Sequence, residues 1–551
     1  MRFVVCLLIL ASGCAGGRAA APPPAPEPAQ RAPAQRPADR ARLVVAVVVD
    51  QLGSDVLERY WDLLPSDGAL KRAARRGAFH HRVVFGYAGT YTAPGHATVH
   101  TGVPPREHGI TANQVYDRSR DAVVPIVDDG AHPWLGQDDA YAAPAALRAP
   151  TVADRLKEAT GGRAKVATLS VKDRGAVLAG GKAPDLALWY DARLGRYTTS
   201  TYYADALPPW LETWSKAHPV EAILEPWEAA DPALLGRHAG ADDAPGEGDW
   251  LGLGTTFPHD PRAGGKPFSA VRATPQSSEH LLELAWAATE ELELGVDEVP
   301  DLLAISISST DYVGHVFGPR SWEYLDNLIR VDRALGRFLA RMAQRTPTAV
   351  LITSDHGVAP LPEQMRGQTG RIDPADWLIG LDAHLDAELG EDTWVAAFSQ
   401  PFVYLSEEAR APEHRDRAVA EAVEWLKGRP DVAIAYDTRR LAGLDPSAEA
   451  PAVSAVTRAA MRSTPPDTDA DIFVVPAPGY VMDEAMVRGK GTSHGTPWPY
   501  DREVPVLVYG PGVARTETRE PLPMTRTAPT LAALLGLDEA GMARPLPGLG
   551  D

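Results

Sequence analysis

The chain has 551 residues, 44% of them hydrophobic and 23% charged, a balance that can bury one large core or two. Its 54 Lys and Arg against 73 Asp and Glu leave a formal net charge of −19, which excludes the basic footprint of a nucleic-acid-binding domain. The only two cysteines are Cys6 and Cys14, so disulfides and thiolate metal sites are excluded from everything that follows them.

In chain order, Arg2, the apolar run 3–11 and the small residues up to Cys14 have the three-part form of a secretory signal, too short to span a bilayer. Ala11-Ser12-Gly13-Cys14 is similar to a bacterial lipobox, in which cleavage before the cysteine leaves a lipidated N-terminus; plain signal cleavage is the alternative. Residues 1–13 are therefore read as a signal peptide of lipoprotein type. Residues 14–41, with the run APPPAPEPAQRAPAQRPADR, read as an Ala/Pro-rich tether of polyproline character. The expected location is periplasmic or outer-membrane-anchored, with the N-terminal lipid as the only membrane contact. No later apolar stretch is long enough to cross a bilayer.

Residues 42–551 read as one catalytic domain. Short β-branched runs alternate with helix-period segments, the pattern of an α/β fold with a mostly parallel central sheet and helices on both faces. The clearest buried strands are Leu43–Val49, 164–170, 302–307, 349–353 and 504–509. Helices are expected over Ala69–Arg76, 151–159, 279–291, 321–342, 418–427 and 525–535. Stretches rich in Trp, Pro, Gly and Asp near 190–275 and 375–480 read as insertions that cap the active face.

Ionisable residues follow the strands: Asp50 the first, Lys172 and Arg174 the second, Asp311 and His315 the third, Asp355 and His356 the fourth. In an open parallel sheet these loops converge at the carboxyl edge, where ligands bind. Asp at a strand end is often only a turn former. Asp311 and His315, four apart, share a face if their turn is helical, a spacing for two ligands of one metal. Ser-Asp-His-Gly at 354–357 sets two ligand types on a glycine turn. His494 lies in a Gly/Thr/Ser loop upstream of a buried strand and could reach the same edge from a mobile loop. Most other histidines, among them His80, His81, His218, His238 and His259, read as exposed loop residues without companion ligands. Thr92 reads as the N-cap of a helix with Pro94 in its first turn; beside a metal its hydroxyl becomes a nucleophile, with Thr90 as a rival.

The ordered set VVVDQ (47–51), TYTAPGHA (90–97), HGITAN (108–113), SVKDRGA (170–176), STDYVGH (309–315), TSDHGV (353–358) and GTSHGT (491–496) resembles the alkaline phosphatase superfamily. Within it, TYTAPGH together with K-D-R is similar to the PafA-type, phosphate-irrepressible alkaline phosphatases, relatives of the nucleotide pyrophosphatase/phosphodiesterases. The resemblance runs from about residue 42 to residue 510. It implies two Zn²⁺ per chain, one held by Asp311, His315 and His494, the other by Asp50, Asp355 and His356, with Thr92 as nucleophile at the second. Asn113 matches an asparagine that contacts a phosphoryl oxygen. Lys172 and Arg174 match the pair that binds the transferred phosphate.

The expected reaction is zinc-dependent hydrolysis of small-molecule phosphate monoesters through a covalent phosphothreonine. Two fixed cations beyond the metals favour the dianionic monoester over a diester. A phosphodiesterase or nucleotide pyrophosphatase on the same two-metal site is the alternative. A non-catalytic phosphate-binding surface lipoprotein is a third reading. A monomer is favoured.

Overall fold

The computed structural model describes residues 40–446, 453–482, 486–538 and 541–549. The signal segment 1–13, both cysteines and all but the last two residues of the 14–41 tether lie outside the described residues.

Among the described residues the main sheet has ten strands. In chain order they are β1 (Leu43–Val49), β2 (Ala78–Val84), β3 (Val166–Ser170), β4 (Leu186–Asp191), β5 (Arg196–Thr198), β6 (Asp301–Ile307), β7 (Thr348–Thr353), β8 (Glu503–Tyr509), β9 (Thr516–Thr518) and β10 (Leu522–Pro523). They lie side by side as β9-β2-β8-β7-β1-β6-β3-β4-β5, with β10 also on β2. The central pairs β7/β1, β1/β6, β6/β3 and β3/β4 are parallel.

β1 is buried along its whole length because both its faces are covered. Leu43, Val45 and Val47 join the layer of Leu281, Ala285, Leu328 and Leu335. Val44, Ala46 and Val48 face the layer of Val152, Leu156 and Leu531. Helices Pro275–Glu291 and Trp322–Arg345 thus cover one face, and Val152–Ala159 and Thr527–Leu534 the other. The register runs Leu43↔Asp301 through Val49↔Ile307 on one side of β1 and Leu43↔Thr348 through Val48↔Thr353 on the other. The three strands therefore end flush, and the residues after them share one edge.

Four helices matter for the site: α1 (Thr92–Thr101), α2 (Asp173–Gly180), α3 (Ser309–Phe317) and α4 (Trp322–Arg345). α4 begins one residue later than the hydrophobic period predicts because Ser321 is its cap, its Oγ accepting from the Tyr324 N–H at 3.0 Å. Thr151 likewise caps Val152–Ala159 in a capping box with Asp154.

The start of the region near 190–275 belongs to the main sheet, since β5 pairs antiparallel with β4, which pairs in parallel with β3. Within this mostly parallel sheet β8 runs antiparallel to both β2 and β7. The segment 374–482 forms its own antiparallel sheet of Val395–Ser399, Phe402–Leu405, Ile472–Pro476 and Val432–Asp437. Helices Pro374–Leu389 and Arg415–Lys427 supply the core of one face of this sheet. Its other face packs Phe402, Phe473 and Met461 against Ala88, two residues before Thr90.

Candidate active site

Two clusters of three ligand-type side chains occupy the carboxyl edge: Asp50 with Asp355 and His356, and Asp311 with His315 and His494. Within each, the ligand atoms lie within 4.8 Å of one another, and all six residues are buried. Asp50 follows β1 directly, and Asp355 and His356 follow β7 after Ser354. α3 carries Asp311 in its first turn and His315 in its last, so the two share a face, with His315 Nε2 3.3 Å from Asp311 Oδ1.

His494 reaches this edge because β8 is antiparallel. The loop before an antiparallel strand opens at the edge where the parallel strands end; before a parallel strand it would lie at the opposite edge. The loop is not the mobile one expected. Residues 491–497 are buried, Thr492 N donates to the His315 carbonyl at 2.9 Å, and Arg371 Nη2 donates to the Gly491 carbonyl at 2.6 Å.

Each of the three histidines has its Nδ1 against a backbone carbonyl: His315 on Thr492 at 2.8 Å, His356 on Gly357 at 2.9 Å, His494 on Thr90 at 2.8 Å. A carbonyl only accepts, so Nδ1 carries the proton and Nε2 presents a lone pair. Those lone pairs face carboxylate oxygens. His356 Nε2 is 3.4 Å from Asp50 Oδ1 and 3.6 Å from Asp355 Oδ2, and His494 Nε2 is 3.7 Å from Asp311 Oδ1.

Burial lowers the pKa of both His356 and His494, and for His494 the neighbouring His356 and His315 add to it, so protonating these rings does not relieve the contacts. The rings of His356 and His494 also stack at 3.6 Å. Acceptors facing acceptors in a buried site are an arrangement that a cation resolves, and fixing Nδ1 on a carbonyl is how metal-binding histidines are oriented. The donor set of imidazole and carboxylate, without thiolate, fits a divalent metal in each cluster.

Thr92 lies between the clusters. Tyr91, not Thr92, is the N-cap of α1, so Thr92 is the first helical residue and its hydroxyl is not used in capping. Its Oγ1 lies 3.4 Å from His356 Nε2 and accepts from Lys172 Nζ at 3.3 Å. The Thr90 hydroxyl, in contrast, donates to the Thr496 carbonyl at 2.9 Å. Gly95 explains how α1 comes so close: a Cβ there would stand 2.2 Å from the Asp355 carbonyl oxygen.

Lys172 stands at the N-cap position of α2 without capping it, and its ammonium bridges the two clusters, 2.6 Å from Asp50 Oδ2 and 2.6 Å from Asp311 Oδ2. Burial opposes its charge, but Asp311 and Asp50 hold its pKa above the ordinary lysine value. Burial would raise the Asp311 carboxyl too; Lys172, His315 and His494 keep it well below the usual range. Asp50 is pushed well up, by burial first and then by Asp311 and Asp355. With Asp50 pushed toward its neutral form, the Asp311 and Asp355 carboxylates still outweigh the single Lys172 ammonium, a balance that favours cations.

Arg174 and Asn113 stand at the mouth, where both line a cavity of about 610 Å³ with Tyr91, Phe398 and Met482. Among the described residues the Arg174 guanidinium has only a loose contact with Asp173, at 3.8 Å. Asn113 Oδ1 accepts from the Ala93 N–H at 2.9 Å, which leaves its amide N–H groups to offer.

Sequence reasoning assigned no role to His96, inside TAPGHA. It is buried, with Nδ1 2.9 Å from the Thr92 carbonyl and 3.2 Å from Asp355 Oδ2, and Nε2 2.9 Å from Ser306 Oγ. Its position four residues after Thr92 on a helix was the available signal. His80 and His259, expected to be exposed, are buried, His80 within β2 and His259 beside Glu323 at 3.1 Å.

A family model described as type I phosphodiesterase / nucleotide pyrophosphatase matches residues 44–483. The alkaline phosphatase PafA of Elizabethkingia meningoseptica is 31% identical over 521 residues, which cover 90% of this chain and 92% of that protein. A Myroides odoratus protein named a calcium-transporting ATPase is 30% identical, over 91% of this chain and 92% of its own. The crystal structure of wild-type alkaline phosphatase PafA matches with a TM-score of 0.84 at 29% identity, covering 93% of this chain and 99% of that one.

Proposed function

The chain belongs to the type I phosphodiesterase/nucleotide pyrophosphatase family and is a phosphoester hydrolase, and from that premise we propose that it cleaves small phosphate monoesters with two zinc ions and a covalent phosphothreonine at Thr92. The observation that carries this reading is the pair of buried clusters in which histidine lone pairs face carboxylates, with the Thr92 hydroxyl between them. Asp50, Asp355 and His356 would hold one zinc, and Asp311, His315 and His494 the other. Lewis acidity at neutral pH is what zinc supplies there, lowering the pKa of the threonine hydroxyl and then of water, and stabilising charge on the leaving oxygen.

The chain's own residues do the rest. Thr92 Oγ forms a bond to phosphorus as the bond to the leaving alcohol breaks, and the alcohol departs with a proton. Water then attacks phosphorus, the Thr92 Oγ–P bond breaks, and phosphate leaves with the hydroxyl restored. The N-terminus of α1 favours the anionic phosphoryl group. Asn113 offers its amide N–H groups to one phosphoryl oxygen, while Lys172 and Arg174 neutralise the remaining charge. Two cations favour the dianionic monoester, and the cleft wall that the 374–482 segment contributes leaves the diester as the second reading. No helix among the described residues is long and apolar enough to cross a membrane.

The test is hydrolysis of a chromogenic monoester and of its diester, before and after chelation and with zinc returned. The expected outcome is a higher kcat/KM on the monoester, lost on chelation and regained with zinc. A faster diester rate would replace the monoesterase reading with the phosphodiesterase one, and rates indifferent to chelation would remove the metal. Export with lipidation at Cys14 is part of the same proposal, supported by residues 1–14. The mass of the mature N-terminus checks it, and an unmodified N-terminus elsewhere would reduce the claim to secretion.

A further inference from the structure

Among the motif residues without a role in this chemistry are the Gln of VVVDQ and the Gly of STDYVGH. They meet. Gln51 follows Asp50 in the chain and is fully buried. Its backbone N–H donates to Asp355 Oδ1 at 3.2 Å, within the first cluster. Its side-chain Nε2 donates to Asp311 Oδ1 at 3.0 Å, in the second. Gln51 therefore touches both proposed metal sites while covalently following a ligand of one.

The residue is held there at local cost. Its φ is +69°, in the left-handed region that side chains other than those of Gly, Asn and Asp seldom adopt. Among the described residues its buried Oε1 has no hydrogen-bond partner. Turning the amide over would set that oxygen against the Asp311 carboxylate, so the orientation is fixed by charge. The surroundings enforce the conformation: Tyr324 Oη donates to the Gln51 carbonyl at 3.1 Å, and Leu52 N donates to Ser354 Oγ at 2.9 Å. Gly314, on α3 between Asp311 and His315, makes room for the amide, because a Cβ there would lie 1.7 Å from Gln51 Oε1. Strain and an orphaned acceptor at one buried position, surrounded by ligand carboxylates, mark a residue kept for positioning.

The geometry points to Gln51 as a positioning residue that couples the two metal sites: it aims Asp311 through its amide and Asp355 through its main chain, so that filling one cluster orders a ligand of the other. The inference rests on the two-metal reading. A donor that fixes a ligating carboxylate typically contributes ten- to hundredfold in metal affinity, and a strut between sites makes that effect reciprocal.

Gln51→Gly separates this role from a structural one. Glycine accepts the left-handed conformation without strain and keeps the backbone N–H, but removes the amide. The metal-free full chain is titrated with Zn²⁺ by calorimetry, and its melting temperature is measured alongside. The expected result is a metal-free melting temperature equal to or above that of the wild type, with Zn²⁺ affinity at one site reduced about ten- to hundredfold and the coupling between the two binding steps diminished. Gln51→Asn, which also tolerates the left-handed region but is too short to reach Asp311, should behave in the same way. Unchanged Zn²⁺ affinity in both variants overturns the inference, as does a fall in affinity matched by a fall in metal-free stability. A wild type that fails to take up two Zn²⁺ overturns the metal reading itself, an outcome distinguishable because it appears before any variant is made.

Discussion

Thr90 and Thr92 are two residues apart and both fully buried, yet their hydroxyls have opposite fates. One is spent on the Thr496 carbonyl; the other lies between His356 Nε2 and Lys172 Nζ at the start of α1. Thr92→Ala should abolish turnover while leaving Zn²⁺ stoichiometry and melting temperature near wild type, because it removes the attacking oxygen and no carboxylate or imidazole. Thr90→Ala should lower the melting temperature with a loss of kcat/KM under tenfold, its hydrogen bond being worth about 1 kcal/mol. Quench-flow labelling of the phosphorylated residue distinguishes the two. Glu247 provides a test of pH dependence away from the clusters. Its pKa is pushed up to about 9, by burial first and then by the charge of Glu323. A carboxyl raised in the folded state costs nothing below its unfolded pKa of about 4.5 and removes stability progressively as pH rises toward 9. Glu247→Gln should therefore leave the melting temperature nearly unchanged at pH 5 and raise it by about 2–4 °C at pH 9. A larger gain at pH 5 than at pH 9 would reverse the assigned sign.

At the scale of elements, the site is made by approaches that tolerate no extra atom. α1 lies on the turn after β7 because Gly95 has no Cβ to meet the Asp355 carbonyl. In an exposed helix Gly→Ala stabilises by about 1 kcal/mol; here Gly95→Ala must push α1 away, and Thr92 with it. The expected outcome is a kcat/KM loss of at least about a hundredfold, as an ångström-scale misplacement produces, together with a lower melting temperature. A variant as stable and active as the wild type would mean that the close approach is dispensable. The antiparallel β8 is the other decisive element, since its direction alone brings His494 to the carboxyl edge. Periodicity could not reveal that direction: an apolar run such as VPVLVY is equally buried whichever way it runs. β2 escaped the sequence reading for a related reason. AFHHRVV contains imidazole and charged side chains that break an apolar count, although Ala78, Phe79, His80 and Val83 are buried.

Across the whole molecule, the six candidate ligand residues come from the end of β1, α3, the end of β7 and the loop before β8, spread over residues 50–494. Cations bound there would tie together segments that the unfolded chain cannot bring together, and so would stabilise the native state by mass action. A hundredfold excess of Zn²⁺ over its Kd should add about 2.7 kcal/mol per site, read as a rise in melting temperature that chelator reverses. Equal melting temperatures with and without zinc would show that the clusters do not hold it. The sequence by itself determined which candidate groups are available: a strand-terminal Asp50, Asp311 and His315 four apart, Asp355 beside His356, and a threonine at a helix start are local facts, set by side-chain identity and short-range spacing. Only the tertiary structure decided how these parts meet. Strand direction placed His494, the missing Cβ of Gly95 and Gly314 set the distances, a one-residue shift of the helix cap left the Thr92 hydroxyl unspent, and Gln51 joined the two clusters. The reason is that a contact between residues hundreds apart depends on register and on close packing, and neither is written in the composition or period of any single segment.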